Sequence, residues 1–218
     1  MEIYLIRHAQ STNQVLDSRD DTIFDPHLTD LGERQADLLA SYFAAGRERV
    51  RSAESGIDRI VCSPMWRALQ TARPLAEALD LRPRVWTDVH ELVTTSDVYP
   101  GSTREEILDA FPNYRVPDDI TDNGWWNEGR ETLSACLHRA IRVAEQLRQE
   151  ASSEASLAIV SHVRFIDSLL KAFLNQLPGR DLYFHQGNTG VSRIALTQNG
   201  LEIRYINRLA HLPPDLIS

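Results

Sequence analysis

The chain has 218 residues, 42% of them hydrophobic and 25% charged, with a formal net charge of -8. That is enough chain to bury a core as one domain, and an acidic surface repels nucleic acid and anionic membranes at long range, so neither is an expected partner. There is no apolar stretch of membrane-spanning length, no signal-peptide pattern, and no disulfide or zinc spacing around Cys62 and Cys136; a soluble cytoplasmic protein with reduced thiols is expected.

Glu2 to Arg7 reads as a strand, because Ile3, Tyr4, Leu5 and Ile6 are apolar on both faces, as in a strand buried between helix layers. The chain then turns polar at once, through Arg7, His8, Gln10, Ser11 and Asn13. A buried strand ending in a polar burst is where open α/β sheets place ligands. Thr29 to Ala45 reads as a helix, with Thr29 as N-cap and Leu31, Ala36, Leu39 and Phe43 as its apolar stripe. Ile57 to Cys62 is a second short strand. Ser63 and Pro64 open the next helix, which carries Arg67, Gln70 and Thr71 and meets Pro74. Leu81 to Asp88 reads as a further strand.

The segment 93–130 is different. It holds Pro100, Gly101, Pro112, Pro117, Gly124, Gly129 and the pair Trp125-Trp126, with a helical pattern only from Thr103 to Phe111. It reads as an excursion from the main sheet, a lid or cap on a single domain spanning 1–218. Helical periodicity returns from Glu131 to Gln149, with Leu133, Leu137, Ile141 and Ala144 on one face. Leu157 to Val160 is a buried strand that ends at Ser161-His162, and a helix follows from Arg164 to Leu174. Val191 to Leu196 and Leu201 to Ile206 read as strands joined by a tight turn at Asn199-Gly200. Alternating strands and helices predict an α/β fold, a largely parallel sheet with helices on both faces.

Arg7, His8, Arg67, Glu91 and His162 together would make a compact cationic pocket. Arginine meets a phosphate with a planar fork that stays charged at any working pH. A neutral imidazole can attack phosphorus, and a carboxylic acid can protonate the leaving oxygen and then, as carboxylate, activate water. The cations neutralise transition-state charge, so neither metal nor cofactor is required.

Five blocks carry a resemblance to a known family. Ile6-Arg7-His8-Ala9-Gln10-Ser11 resembles the Arg-His-Gly motif of the histidine phosphatase superfamily, which includes the phosphoglycerate mutases. The blocks Leu28 to Ala36, Cys62 to Ala72, Val160-Ser161-His162 and Asn188 to Ser192 are similar to its later motifs, in the same order. The resemblance implies a three-layer α/β/α fold with one strand of the sheet reversed and 93–130 as the variable substrate cap. It implies that His8 is the nucleophile, that Arg7, Arg67 and His162 bind the phosphoryl group, and that Glu91 is the general acid. Ala9 stands for the usual glycine and Gln10 for a common glutamate. Gln14 stands for an asparagine that helps bind phosphate. Val163-Arg164 replaces a glycine pair; the Val163 amide keeps its capacity to donate to phosphate, and Arg164 is placed to meet a second anionic group.

Plainer roles compete at some positions. Asp97 is the alternative acid, Ser63 fits helix capping better than catalysis, and Trp125-Trp126 suits cap packing as well as a substrate platform. Arg47, Arg49 and Arg51 suit a solvated surface. The expected activity is metal-independent hydrolysis of a small phosphate monoester, with an activity profile leaning mildly acidic. The alternatives are mutase-type transfer, disfavoured because Arg19-Asp20-Asp21-Thr22 lacks the Trp- and Asn-rich character of the mutases, and a non-catalytic phosphate binder. A homodimer is the default for a soluble oligomer.

Overall fold

The computed structural model describes residues 1–18, 22–48, 56–94, 100–126, 129–151, 155–176 and 181–218. Arg19 to Asp21, Arg49, Arg51 and Asp97 lie outside the described residues. Six strands form one sheet: β1 (Glu2–Arg7), β2 (Arg59–Cys62), β3 (Arg84–Val85), β4 (Ser156–Ser161), β5 (Val191–Thr197) and β6 (Gly200–Arg208). Their spatial order is β3-β2-β4-β1-β5-β6. The first four of these are mutually parallel, β5 is antiparallel to β1, and β6 is antiparallel to β5. One strand is therefore reversed. The β5–β6 hairpin turns where Thr197 pairs with Gly200, whose φ of 122° suits glycine.

The helices are α1 (Asp30–Glu48), α2 (Trp66–Leu79), α3 (Arg104–Ala110), α4 (Leu133–Gln149) and α5 (Val163–Phe173). Alternation along β1 divides the core in two. Tyr4 and Ile6 pack with Leu39, Phe43, Leu69 and Leu75 from α1 and α2, while Ile3 and Leu5 pack with Val143, Phe165 and Leu169 from α4 and α5. This is the three-layer arrangement. No helix among the described residues is long and apolar enough to cross a membrane.

Three elements differ from the sequence reading. The strand expected over 81–88 contracts to Arg84–Val85 and gives way to a 3-10 turn at Thr87–Val89. α2 starts at Trp66 rather than at Ser63; its N-cap, Met65, has no polar side chain, and the carboxylate of Asp25 accepts from the Trp66 amide instead, at 3.0 and 3.1 Å. On α4 the buried residues are Cys136, Leu137, Arg139, Ala140, Val143, Ala144 and Leu147; of the expected face, Leu137 and Ala144 are buried and Leu133 and Ile141 are exposed. The small residues let α4 close on α5, and Arg139 finds a buried partner (below).

The excursion packs against α2 and the β3 edge. Ile107, Phe111, Tyr114, Val116 and Ile120 join the α1–α2 core. The Tyr114 hydroxyl donates to the Leu69 carbonyl at 2.8 Å, and the Val85 amide donates to the Arg115 carbonyl at 2.9 Å.

Candidate active site

Four neighbouring parallel strands deliver the nominated residues at their carboxyl ends. His8 follows β1, Arg67 follows β2 on the first turn of α2, Glu91 follows β3, and His162 follows β4. At β1 the pleat ends in two fixed bonds, as the His8 amide donates to the Ser161 carbonyl at 2.9 Å and the Asn188 side chain donates to the His8 carbonyl at 3.1 Å. α1 presses against the following loop so closely that a Cβ on Gly32 would fall 2.0 Å from the Gln10 carbonyl oxygen.

His8 is 4% exposed. Its Nδ1 lies 2.7 Å from the Ala9 carbonyl, which can only accept, so Nδ1 carries the proton. Nε2 then holds the lone pair, and the Arg67 Nε donates to it at 3.3 Å. Burial first, and then the charges of Arg67 and Arg7, push His8 well below the usual histidine value, so the imidazole is neutral at neutral pH.

Arg67 also donates toward the Met65 sulfur at 3.2 Å, and its Nη1 lies 3.5 Å from Asp25 Oδ1. Asp25 thus caps α2 and pairs with its arginine, a double role with no sequence signature. Arg7 Nη1 donates to the Gln186 carbonyl at 2.7 Å, while its Nε is buried with no acceptor among the described residues.

His162 is fully buried, its ring centroid 5.0 Å from that of His8. Ser63 Oγ accepts from the Met65 amide at 3.2 Å and lies 2.8 Å from His162 Nε2. The hydroxyl proton has no other acceptor among the described residues, so Ser63 donates to Nε2 and leaves the proton of His162 on Nδ1, which is buried and unmatched. Burial, then Arg67, His8, His90 and Arg7, lowers His162 well below its ordinary value. Arg7 Nε and His162 Nδ1 are two orphaned donors in one cluster, and an oxyanion would satisfy them.

A cavity of about 230 Å³ opens over His8, lined by Arg7, Gln14, Arg67, Glu91 and Val163 among others. Six of the seven nominated residues line it; His162 lies behind. Among the described residues of the 93–130 segment, Val93 and Thr94 line it, as do Ile23 and Phe24. Trp125 and Trp126 are buried elsewhere, with ring centroids 5.1 and 4.7 Å from His90. Gln14 exchanges two 3.0 Å bonds with Asn188, so its amide is engaged on the wall.

Glu91 sits at the N-terminus of α5. Its Oε1 accepts from the Leu92 and Phe165 amides at 2.9 and 3.2 Å, and Oε2 from the Arg164 amide at 3.3 Å. The Val163 amide, first in the helix, has no acceptor among the described residues. Arg164 points to a larger adjoining cavity, about 740 Å³, which shares Glu91, Leu92, Thr94 and Val163 with the first.

The family model of the histidine phosphatase superfamily (branch 1) matches residues 3–209. Phosphoserine phosphatase 1 of Hydrogenobacter thermophilus is 26% identical, over 97% of this chain and 94% of that protein. A phosphoglycerate mutase-like protein of Arabidopsis thaliana is also 26% identical, over 78% of this chain and 74% of that one. A mutant phosphoserine phosphatase from Entamoeba histolytica, solved in complex with phosphoserine, has the same fold with a TM-score of 0.67 at 21% identity, covering 97% and 99% of the two chains. With the five blocks in order and the fold in hand, the chain belongs to the histidine phosphatase superfamily, branch 1.

Proposed function

We propose that the protein is a phosphomonoester hydrolase that works through a phosphohistidine on His8, without a metal. The observation that carries this reading is the state of His8: neutral, with Nδ1–H fixed on the Ala9 carbonyl and the unprotonated Nε2 held beside Arg67, in a residue that lines the cavity. Nε2 attacks phosphorus, the P–O bond to the alcohol breaks, and Glu91 gives its proton to the departing oxygen. Water then attacks the phosphohistidine, Glu91 takes back a proton, and inorganic phosphate leaves with His8 neutral again. Arg7, Arg67, His162 Nδ1–H and the Val163 amide meet the charge on the phosphoryl oxygens. Gln14 acts through Asn188 and the wall rather than as a free donor. The names of the relatives, a phosphoserine phosphatase and a phosphoglycerate mutase-like protein, fit a phosphoryl-transfer site of this kind.

The test is release of phosphate from p-nitrophenyl phosphate in the presence of chelator, wild type beside His8→Ala. Removing the nucleophile should cost at least about 10⁴-fold in kcat/KM, and acid-labile phosphate should label wild type but not the variant. Activity retained by His8→Ala, or abolished by chelator and restored by a divalent ion, would contradict the reading. Phosphate moved between the hydroxyls of phosphoglycerate, in place of release to water, would point to a mutase.

A further inference from the structure

The loop that carries Glu91, and Phe165, whose amide binds its carboxylate, both meet one buried side chain, Arg139 of α4. Arg139 is 4% exposed and makes a two-pronged ion pair with Glu131, Nε to Oε1 at 3.0 Å and Nη2 to Oε2 at 2.8 Å. Its remaining nitrogen, Nη1, donates to the Asp88 and His90 carbonyls at 2.7 and 2.9 Å, bracketing the turn that leads into Glu91. The guanidinium carbon also lies 4.7 Å from the ring centroid of Phe165, whose amide binds Glu91 Oε1. Glu131 in turn donates its amide to the Val93 carbonyl at 2.8 Å, closing the base of the 93–130 segment just past Glu91.

A buried ion pair contributes little net stability, because desolvating two charges offsets their attraction; well-packed apolar residues would hold the helix as firmly. What such residues could not supply is the two donors that fix the carbonyls on either side of Val89. The fork is consumed by Glu131, so Nη1 is directed at those carbonyls in one geometry.

We propose that Arg139, oriented by Glu131, is a positioning residue for Glu91: it sets the path of the Asp88–His90 turn and the place of Phe165, and so holds the carboxyl where the leaving oxygen departs. This rests on the reading of Glu91 as proton donor. Among the described residues Arg139 makes no hydrogen bond to His8 or to a residue that lines the cavity, and its effect on the leaving group passes through Glu91.

Proton donation matters most when the leaving group is basic. The experiment therefore measures kcat/KM, which reports the phosphoryl-transfer step, for 2,4-dinitrophenyl phosphate and phenyl phosphate. It compares wild type, Arg139→Lys, Glu91→Gln and their combination, with folding checked by circular dichroism and thermal melting. Lysine keeps the charge beside Glu131, yet a single ammonium cannot span Glu131 and both carbonyls. A second variant, Arg139→Met with Glu131→Met, removes both buried charges, so that no unpaired charge is left, and takes away the donors to the two carbonyls. Either variant should lose about 10- to 100-fold on phenyl phosphate and less than about threefold on the dinitrophenyl ester. In the Glu91→Gln background, Arg139→Lys should cost less than about twofold more on phenyl phosphate.

Equal losses on both esters, or an undiminished further loss on top of Glu91→Gln, would overturn the proposal. If Glu91→Gln discriminates the esters and the Arg139 variants do not, only the role of Arg139 fails. If Glu91→Gln itself does not discriminate, the proton-donor reading fails and the role of Arg139 with it.

Discussion

His8 and its neighbours hang from strand ends whose backbone bonds fix them, whereas residues 100–126 are held to α2 chiefly by apolar side chains. The His8 backbone is tied to Ser161 and Asn188, and the ring is oriented by Ala9 and Arg67. The excursion buries Ile107 and Ile120 completely and adds the Tyr114 bond to Leu69. Directional polar contacts specify position, while apolar burial supplies stability without aiming anything. Substitutions on the His8 side should therefore change rate more than stability, and those in the excursion the reverse.

The sharpest test of the first half is Arg67→Ala. Arg67 donates to His8 Nε2, the proposed nucleophile, and lines the cavity. Losing a donor aimed at developing phosphoryl charge should lower kcat/KM by about 10²- to 10³-fold, measured on p-nitrophenyl phosphate. Arg67→Lys should recover only part, because a point charge cannot replace the fork. A loss below about tenfold for Arg67→Ala would place the phosphoryl group away from this arginine and break the comparison.

Ile107→Ala tests the second half. The side chain is fully buried among α2 and excursion residues, so the cavity should cost about 2–5 kcal/mol in urea unfolding. At 25 °C kcat/KM should stay within about threefold of wild type, because Ile107 does not line the His8 cavity. Collapse of activity with stability intact would mean that the excursion reaches the reacting ester.

The same contrast explains what the sequence made legible. The four apolar residues of β1 and the polar burst after them predict a buried strand feeding a site, and His8 lies there. The tight approach at Gly32 and the cap at Thr29, whose hydroxyl accepts from the Gly32 amide at 3.0 Å, lie in a motif read directly from the chain. Long-range polar contacts leave no such trace. Asp25 reaches Trp66 and Arg67 across about 40 residues from a loop without periodicity. Arg139 sits on a helix whose hydrophobic spacing nominates Leu133, Leu137, Ile141 and Ala144 for burial; Leu137 and Ala144 are buried, Leu133 and Ile141 are not, and the burial of Arg139 depends on a partner, Glu131, that spacing does not report. Ser63 reads as a cap from its place before Pro64, and its contact with His162 depends on β2 and β4 being neighbours. Periodicity reports which face is buried against something; it is silent on which polar group a fold brings from elsewhere.

Acid should separate the two regions once more, with a smaller effect. Residues 100–126 contain no histidine, while the His8 side holds His8, His162 and His211. His211 is joined to the His8 side through Thr189: its Nε2 lies 2.8 Å from the Thr189 hydroxyl, which itself donates to the Asn188 carbonyl, so Nε2–H is the donor. Burial lowers His211 from 6.5 to about 4. The unfolded chain therefore takes up a proton there below about pH 6.5, and the folded chain does so only near pH 4. Folding then binds fewer protons than unfolding across that interval, and stability falls as the pH drops through it. At pH 5 the contribution lost is on the order of 2 kcal/mol. Urea unfolding at pH 7 and pH 5 should show His211→Gln losing less stability between the two than wild type does, by about that amount. An identical loss in both would mean that the folded protein already protonates His211 at pH 5, and that the acid sensitivity of the His8 side lies with His8 and His162, which burial and neighbouring arginines hold neutral.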